Sequence, residues 1–296
     1  METETQTEEQ PTQLPVAPSQ VRAAALAEVE RLAAVVAGIS DSDWTAASAV
    51  SGWTIGDVVA HLNLALALYS RVIDAALGGS GGGKLWKAFG DFTQKAVPAA
   101  APAFNAVNNA VPRLLRNALS PEVIKGQLAA SARGLRQRLE KAGSADYTRP
   151  IHYMGRPWPL SFFLAAVVNE LAVHGWDIAS KLTPDAHLSE DARAVLPWFY
   201  WGATPFMFHV PSGFRGTIQA ELADPSLQMW WGHDAGGTRQ GTGEVQADAT
   251  IRAESGTFVL ILAGRITVDD ALSTTSVTIE GDEALARSFL GAWKIV

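Results

Sequence analysis

The hydrophobic pattern of this chain changes its period close to residue 184. Before that point, apolar residues recur at the spacing of an amphipathic helix, for example at Val21, Ala25, Val29 and Leu32. After Thr183-Pro184-Asp185, short runs rich in β-branched and aromatic residues alternate with glycine and aspartate turns. The fold class that this predicts is an N-terminal four-helix bundle followed by a smaller α+β domain.

Helix start and stop signals divide the first part of the chain. Thr54, with Asp57 three residues later, has the form of a capping box, and Ser120-Pro121-Glu122 is a strong helix start. The four long helices are predicted at 20–38, 54–77, 120–143 and 160–181. Residues 84–119 are broken by prolines and are expected to form short helical pieces, whose aromatic residues either line a pocket or belong to the core. Those aromatic residues are Trp86, Phe89, Phe92 and Phe104.

The second part of the chain combines strands and helices. Residues 144–159 are interpreted as a loop leading into the fourth helix. Helices are predicted at 189–208, 254–263 and 282–290, and strands at 216–222, 226–232, 249–253 and 276–279. The domain boundaries predicted from these patterns are a flexible, acidic tail over 1–19 without a catalytic role, a bundle over 20–183 and an α+β domain over 184–296.

Charge and composition exclude several classes of partner. The net charge is -7, with 30 acidic residues against 23 basic ones, so no basic stripe is available for nucleic acid or for an anionic membrane surface. No uninterrupted apolar run of about 18 residues is present, and the acidic start lacks the form of a secretion signal. We therefore expect a cytoplasmic protein. The chain contains no cysteine, so any thiol chemistry must use a thiol from outside.

Three potential metal ligands occupy predicted helices: His61 in the second, and Glu170 and His174 in the fourth. Glu170 and His174 are four residues apart and therefore share one helical face. Two imidazoles and a carboxylate can hold a divalent metal and leave one coordination position open, which is the pattern of catalytic zinc. The alternative is a plain Glu170–His174 hydrogen bond at a partly hydrated end of the bundle. Burial of both groups in the core favours the metal, because unpaired buried charges are costly.

Two segments a hundred residues apart resemble a known family. SGWTIGDVVAHL at 51–62 and NELAVHGWDI at 169–178 are similar to the mycothiol-dependent maleylpyruvate isomerase family, a branch of the DinB-like metal-binding four-helix bundles. The C-terminal part resembles the sterol-carrier-like domain often fused to that bundle, through LAGRITVDDA at 262–271 and IEGD at 279–282. The resemblance extends over residues 20–296.

This resemblance implies that His61, Glu170 and His174 bind a divalent metal, with zinc expected and nickel as the alternative. It implies mycothiol as the thiol cosubstrate and a small electrophile as the substrate, which is isomerised or conjugated to sulfur. A free thiol is mostly protonated at neutral pH, whereas coordination to zinc favours the nucleophilic thiolate. In an isomerisation, thiolate addition to a conjugated double bond permits rotation, and elimination restores the thiol.

Two further residues are candidates for catalytic roles. Asp177, one turn after His174, could orient an imidazole, or it could be a solvated acid near the end of the helix. Arg265 could recognise an anionic substrate if the second domain closes over the bundle, or it could be structural. Arg71 and Arg156 are weaker candidates for the same role. The remaining histidines lack convincing ligand spacing: they are His152, His187, His209 and His233.

Two other functions fit the same residues. The metal could serve a hydrolase by lowering the pKa of water. Alternatively, the C-terminal part could carry a hydrophobic ligand while the bundle acts as a scaffold without catalytic activity. We expect the protein to be a monomer or a small homo-oligomer.

Overall fold

The computed structural model describes residues 14–78, 106, 108–153 and 156–293. The helices are α1 (Pro18–Ala37), α2 (Asp41–Trp44), α3 (Ile55–Ala76), α4 (108–118), α5 (Pro121–Lys141), α6 (Leu160–Leu182), α7 (Glu190–Met207), α8 (Ser255–Leu262), α9 (Val268–Ser273) and α10 (Glu283–Leu290). The strands are β1 (Pro150–Tyr153), β2 (Arg156–Pro159), β3 (Gly216–Ala223), β4 (Leu227–Asp234), β5 (Gly237–Thr242), β6 (Ala249–Glu254) and β7 (Val277–Gly281). The predicted aromatic segment around Trp86 to Phe104 lies outside the described residues.

Four long helices form a bundle in which α1 and α3 each pack against both α5 and α6. Their apolar stripes meet in the core, where Val58, Leu62 and Leu66 of α3 are fully buried. The capping box at the start of α3 is confirmed, because the Thr54 side chain accepts from the Asp57 backbone and the Asp57 carboxylate accepts from the Thr54 backbone. This cap sets the first turn of the helix that carries His61.

Some boundaries differ from the sequence-based prediction. Helix α1 begins at Pro18, two residues earlier than expected, because proline is well suited to the first turn of a helix. Leu14 is also buried, so the predicted tail over 1–19 extends too far into the folded part. The predicted loop over 144–159 is wrong in part, since β1 and β2 form an antiparallel pair within it. Ile151 and Trp158 face each other across this pair and are buried, but strands of four residues are too short to show a clear alternation.

The C-terminal part is built on a five-stranded sheet in the order β5-β4-β3-β6-β7. Neighbouring strands are antiparallel except for β3 and β6, which run parallel. Helices α8 and α10 pack against β3 and β6, and the large side chains of Trp231, Phe258 and Phe289 are buried in this region. Strand β5 was missed because its sequence, GTRQGT, contains no apolar residue, and the short helix α9 was also missed.

Helix α7 connects the two parts, because it packs against α1 and α6 on one side and against α8 on the other. Among the described residues, α3 and α6 are long and apolar enough to cross a membrane by length and composition alone. In each, more than half of the apolar window is buried inside the protein, at 61% and 67%. Core helices of a bundle have this composition, so these two helices are not evidence for a membrane span.

Candidate metal centre

His61 lies in the second turn of α3, on the side of the helix that faces α6. The capping box at Thr54 fixes the start of the helix, and the neighbouring Ala60 and Leu62 are fully buried. The side chain of His61 is itself only 11% exposed. An imidazole at this depth requires a polar partner, because an unpaired buried polar group is costly.

Glu170 and His174 lie on α6 and continue the stripe of buried residues formed by Phe163 and Val167. Their side chains are 18% and 14% exposed. Because the spacing of four residues corresponds to about one helical turn, both side chains project toward α3. The stripe therefore carries two ionisable groups into the bundle core.

The structure brings all three predicted ligands to one point. One potential ligand atom from each of His61, Glu170 and His174 lies within 4.8 Å of the others, and this is the one such group of histidine and acidic side chains among the described residues. The Nε2 atom of His61 is 2.7 Å from Oε1 of Glu170, and Nε2 of His174 is 3.8 Å from the same oxygen. The alternative of a Glu170–His174 hydrogen bond is not formed at this distance.

The electrostatics of the site keep Glu170 charged. Burial favours the neutral acid, but the charges of His61 and His174, together with hydrogen bonds from His61 and Tyr69, lower the pKa of Glu170 from 4.5 to about 2. Burial also lowers the pKa of His61, but Glu170 outweighs it and the pKa of His61 lies above its ordinary value of 6.5. A buried carboxylate held as an anion beside two imidazole nitrogens suits a divalent cation. The donor set therefore fits a metal such as zinc.

The pairing of His61 with Glu170 predicts a pH dependence of stability in metal-free protein. The raised pKa of His61 contributes to the free energy of unfolding. This contribution is fully present below pH 6.5 and is lost as the pH rises through the pKa of His61 in the folded protein. The lowered pKa of Glu170 makes a second contribution to the free energy of unfolding, which is fully present above pH 4.5 and is lost as the pH falls toward about 2. Urea denaturation in the presence of a chelator should therefore show the largest contribution of the pair between about pH 4.5 and pH 6.5, with a decline on either side. The same pH profile in Glu170→Gln as in the native protein would contradict this assignment.

Asp177 and Arg265 lie directly behind His174. Asp177 is fully buried, so the alternative of a solvated acid is wrong. Its Oδ2 atom is 2.7 Å from Nδ1 of His174, and its two oxygens accept hydrogen bonds of 2.9 Å from Nε and Nη2 of Arg265. Burial raises the pKa of Asp177, but the hydrogen bonds from His174 and Arg265 outweigh it and leave this pKa below its ordinary value. The carboxylate is therefore held as an anion against the imidazole.

Arg265 uses all three guanidinium nitrogens in this arrangement, because Nη1 donates to the backbone oxygen of Ala263 at 2.8 Å. The contact joins the turn after α8 to helix α6 and so connects the α+β part to the bundle. A direct role in catalysis for Arg265 or Asp177 stays a prediction.

The other candidate residues are not brought to the centre. Arg71 is exposed on α3, and the side chain of Arg156 lies outside the described residues. His187 and His209 are exposed, and Nδ1 of His233 pairs with the Thr238 hydroxyl. The side chain of His152 also lies outside the described residues.

Three residues that contact the predicted ligands were not among the candidates from the sequence. Tyr69 of α3 hydrogen-bonds Glu170, and Asn108 of α4 hydrogen-bonds His61. Trp53 presents its ring to His61 at a centroid distance of 5.4 Å and an interplanar angle of 69°. Tyr69 lies two turns after His61 on one helix face, so its spacing was a usable signal. Asn108 comes from a different helix, and no sequence spacing connects it to His61.

Comparison with known proteins identifies both parts of the chain. The family model for the mycothiol maleylpyruvate isomerase N-terminal domain matches residues 25–179, and the model for the SCP-2 sterol transfer family matches residues 212–294. No curated protein matches the sequence at a significant level.

Solved structures agree on the fold. The crystal structure of a mycothiol-dependent maleylpyruvate isomerase has a TM-score of 0.54 and 15% identity, over 90% of this chain and 93% of that chain. A structure of a histidine-to-alanine mutant of a mycothiol-dependent maleylpyruvate isomerase has the same TM-score and coverage at 14% identity. At this identity the likeness shows the fold, and the predicted fold class of a DinB-like bundle followed by a sterol-carrier-like domain is confirmed. Because the first family model covers more than half of the chain, the protein belongs to the mycothiol maleylpyruvate isomerase family of enzymes.

Proposed function

We propose that this protein is a metal-dependent, thiol-using isomerase that acts on a small electrophile, with His61, Glu170 and His174 as the metal ligands and mycothiol as the thiol. The observation that carries the proposal is the convergence of these three side chains from α3 and α6 to within 4.8 Å. Three protein ligands leave a coordination position for an incoming group, as catalytic sites require. Family membership supports the choice of an isomerase and of mycothiol.

Each ligand has a separate task in this proposal. Glu170 supplies the negative charge, and its lowered pKa keeps it ionised across the physiological range. His61 and His174 both direct Nε2 toward the Glu170 carboxylate, so both nitrogens face the same side of the site. Nε2 of His61, which donates to Glu170 here, would release its proton when a metal binds. A zinc ion bound here would favour the thiolate form of a coordinated thiol.

Asp177 is proposed to hold His174 in the tautomer that carries its proton on Nδ1, so that Nε2 remains free. Arg265 compensates the buried charge of Asp177 through two parallel hydrogen bonds. In this arrangement Arg265 acts on the metal ligand His174 through Asp177. The earlier prediction that it recognises an anionic substrate requires that it also reach the substrate.

Large aromatic side chains form the core of the C-terminal part. The rings of Trp231, Phe258 and Phe289 are almost fully buried, and Trp231 contacts Phe289 at a centroid distance of 5.0 Å. These side chains belong to β4, α8 and α10 and form the apolar core of this domain. We propose that this domain positions Arg265 against the bundle. We also propose that the protein is cytoplasmic.

Metal analysis combined with an isomerase assay tests the proposal. The purified protein should contain about one zinc or nickel ion per chain, and His61→Ala should contain none while keeping its helical circular dichroism spectrum. Conversion of maleylpyruvate should require both metal and mycothiol. A correctly folded native protein that binds no divalent metal would overturn the proposal and leave the carrier function ahead.

The use of a thiol predicts a spectroscopic change. Cobalt-substituted protein is expected to change its visible absorption when mycothiol is added, because a sulfur ligand alters the coordination of the ion. A desulfurised mycothiol analogue should leave the spectrum unchanged and serves as the control. If saturating mycothiol has no effect on the spectrum, the hydrolase alternative gains support.

A further inference from the structure

Helix α4 supplies a second hydrogen-bond partner for His61, in addition to Glu170. Asn108 of α4 hydrogen-bonds the His61 imidazole, and the neighbouring Asn109 accepts a hydrogen bond of 2.8 Å from Nε1 of Trp53. The Trp53 ring in turn lies edge-on to His61, with the two centroids 5.4 Å apart. Two consecutive asparagines therefore restrain His61, one directly and one through an aromatic ring.

The direction of the imidazole determines what the Asn108 contact does. Nε2 of His61 faces Oε1 of Glu170 at 2.7 Å, so Nδ1 is the nitrogen left for the Asn108 amide. An amide oxygen that accepts from Nδ1 keeps the proton there and leaves the Nε2 lone pair for a metal. His174 has the same arrangement with Asp177, but there the acceptor is a carboxylate.

Helix α4 is itself fixed to the start of α3. Nε of Arg116 donates to Oδ1 of the buried Asp57 at 2.7 Å, and Nη2 of Arg113 donates to the backbone oxygen of Gly52 at 2.8 Å. Gly56 permits this approach, because a Cβ atom at that position would lie 2.7 Å from the Trp44 ring and 3.0 Å from Cδ of Arg116. The two asparagines are thus presented from a helix anchored one turn before His61.

We propose that Asn108, and Asn109 acting through Trp53, are positioning residues that orient the His61 imidazole for metal binding. Helix α4 then sets the metal affinity together with α3 and α6. This inference rests on the proposed function, because it requires that His61 bind a metal.

Zinc affinity, measured by competition with a chromophoric chelator, tests the proposal. Asn108→Ala is expected to weaken zinc binding by about 10-fold to 100-fold, the range for loss of a group that orients a ligand. The zinc affinity of Asn108→Asp should stay within a few-fold of that of the native protein, because the new carboxylate can still accept a hydrogen bond from Nδ1 of His61. Asn117→Ala, which removes an exposed asparagine from the same helix, is the matched control and should leave the affinity unchanged.

A double-mutant cycle tests the indirect contact. Trp53→Phe removes the indole donor but keeps a ring, so its effect on zinc affinity should be non-additive with that of Asn109→Ala. Cobalt absorption spectra should shift in Asn108→Ala if the ligand geometry has changed. Native-like affinity and spectra in Asn108→Ala would overturn this inference and leave the proposed function intact. A native protein that binds no zinc would overturn both.

Discussion

Glu170→Gln is expected to abolish metal binding and, with it, isomerase activity. The amide keeps the shape of the side chain but removes the charge that lies 2.7 Å from Nε2 of His61 and 3.8 Å from Nε2 of His174. The loss of zinc affinity should exceed the roughly 10-fold to 100-fold effect of removing a group that only orients a ligand. Competition with a chelator and metal analysis of the purified protein measure this change.

Glu244→Gln provides the control, because it makes the same chemical change at an exposed position in the C-terminal part. It should bind one metal ion per chain and keep native activity. Zinc binding by Glu170→Gln at native affinity would show that the carboxylate is not a ligand. Retained activity without bound metal would instead contradict the proposed metal dependence.

Asp177→Asn is expected to weaken both metal binding and folding. The fully buried carboxylate accepts two hydrogen bonds from Arg265 and contacts Nδ1 of His174. Removing its charge leaves the mostly buried guanidinium unpaired, and loss of one partner of a buried ion pair costs about 3–5 kcal/mol. Loss of the group that orients His174 should weaken zinc binding by about 10-fold to 100-fold. Urea denaturation and chelator competition measure the two effects.

The double variant Asp177→Asn with Arg265→Met separates the two roles. Removing both charges should restore much of the stability lost in Asp177→Asn, because no unpaired buried charge remains. Zinc affinity should stay low, since His174 still lacks its carboxylate. If the stability losses of the two single variants simply add in the double variant, Asp177 and Arg265 are not coupled as described.

The variant Arg265→Lys distinguishes positioning from substrate recognition. Lysine keeps the positive charge but cannot form two parallel hydrogen bonds with a carboxylate. If Arg265 acts through Asp177, zinc affinity should fall, whereas contact with an anionic substrate alone would raise KM and leave zinc affinity unchanged.

Local signals allowed part of this structure to be predicted from the sequence. The capping box at Thr54 and Asp57 is formed by residues three apart, and the shared face of Glu170 and His174 follows from helical geometry. The missed elements have weak local patterns. The polar strand β5 pairs with β4 at the edge of the sheet through backbone hydrogen bonds, which place little demand on its side chains.

The two-part fold could be predicted because periodicity and helix caps act between residues close together in the chain. The three potential ligands could be predicted from residue type, from the spacing of Glu170 and His174, and from the family resemblance. Three contacts have no local signal in the sequence. They join His61 to Glu170, 109 residues away, Asp177 to Arg265, 88 residues further along, and Asn108 to His61. Such contacts depend on how whole helices pack, and the free energy of burying their apolar stripes brings these distant polar groups together.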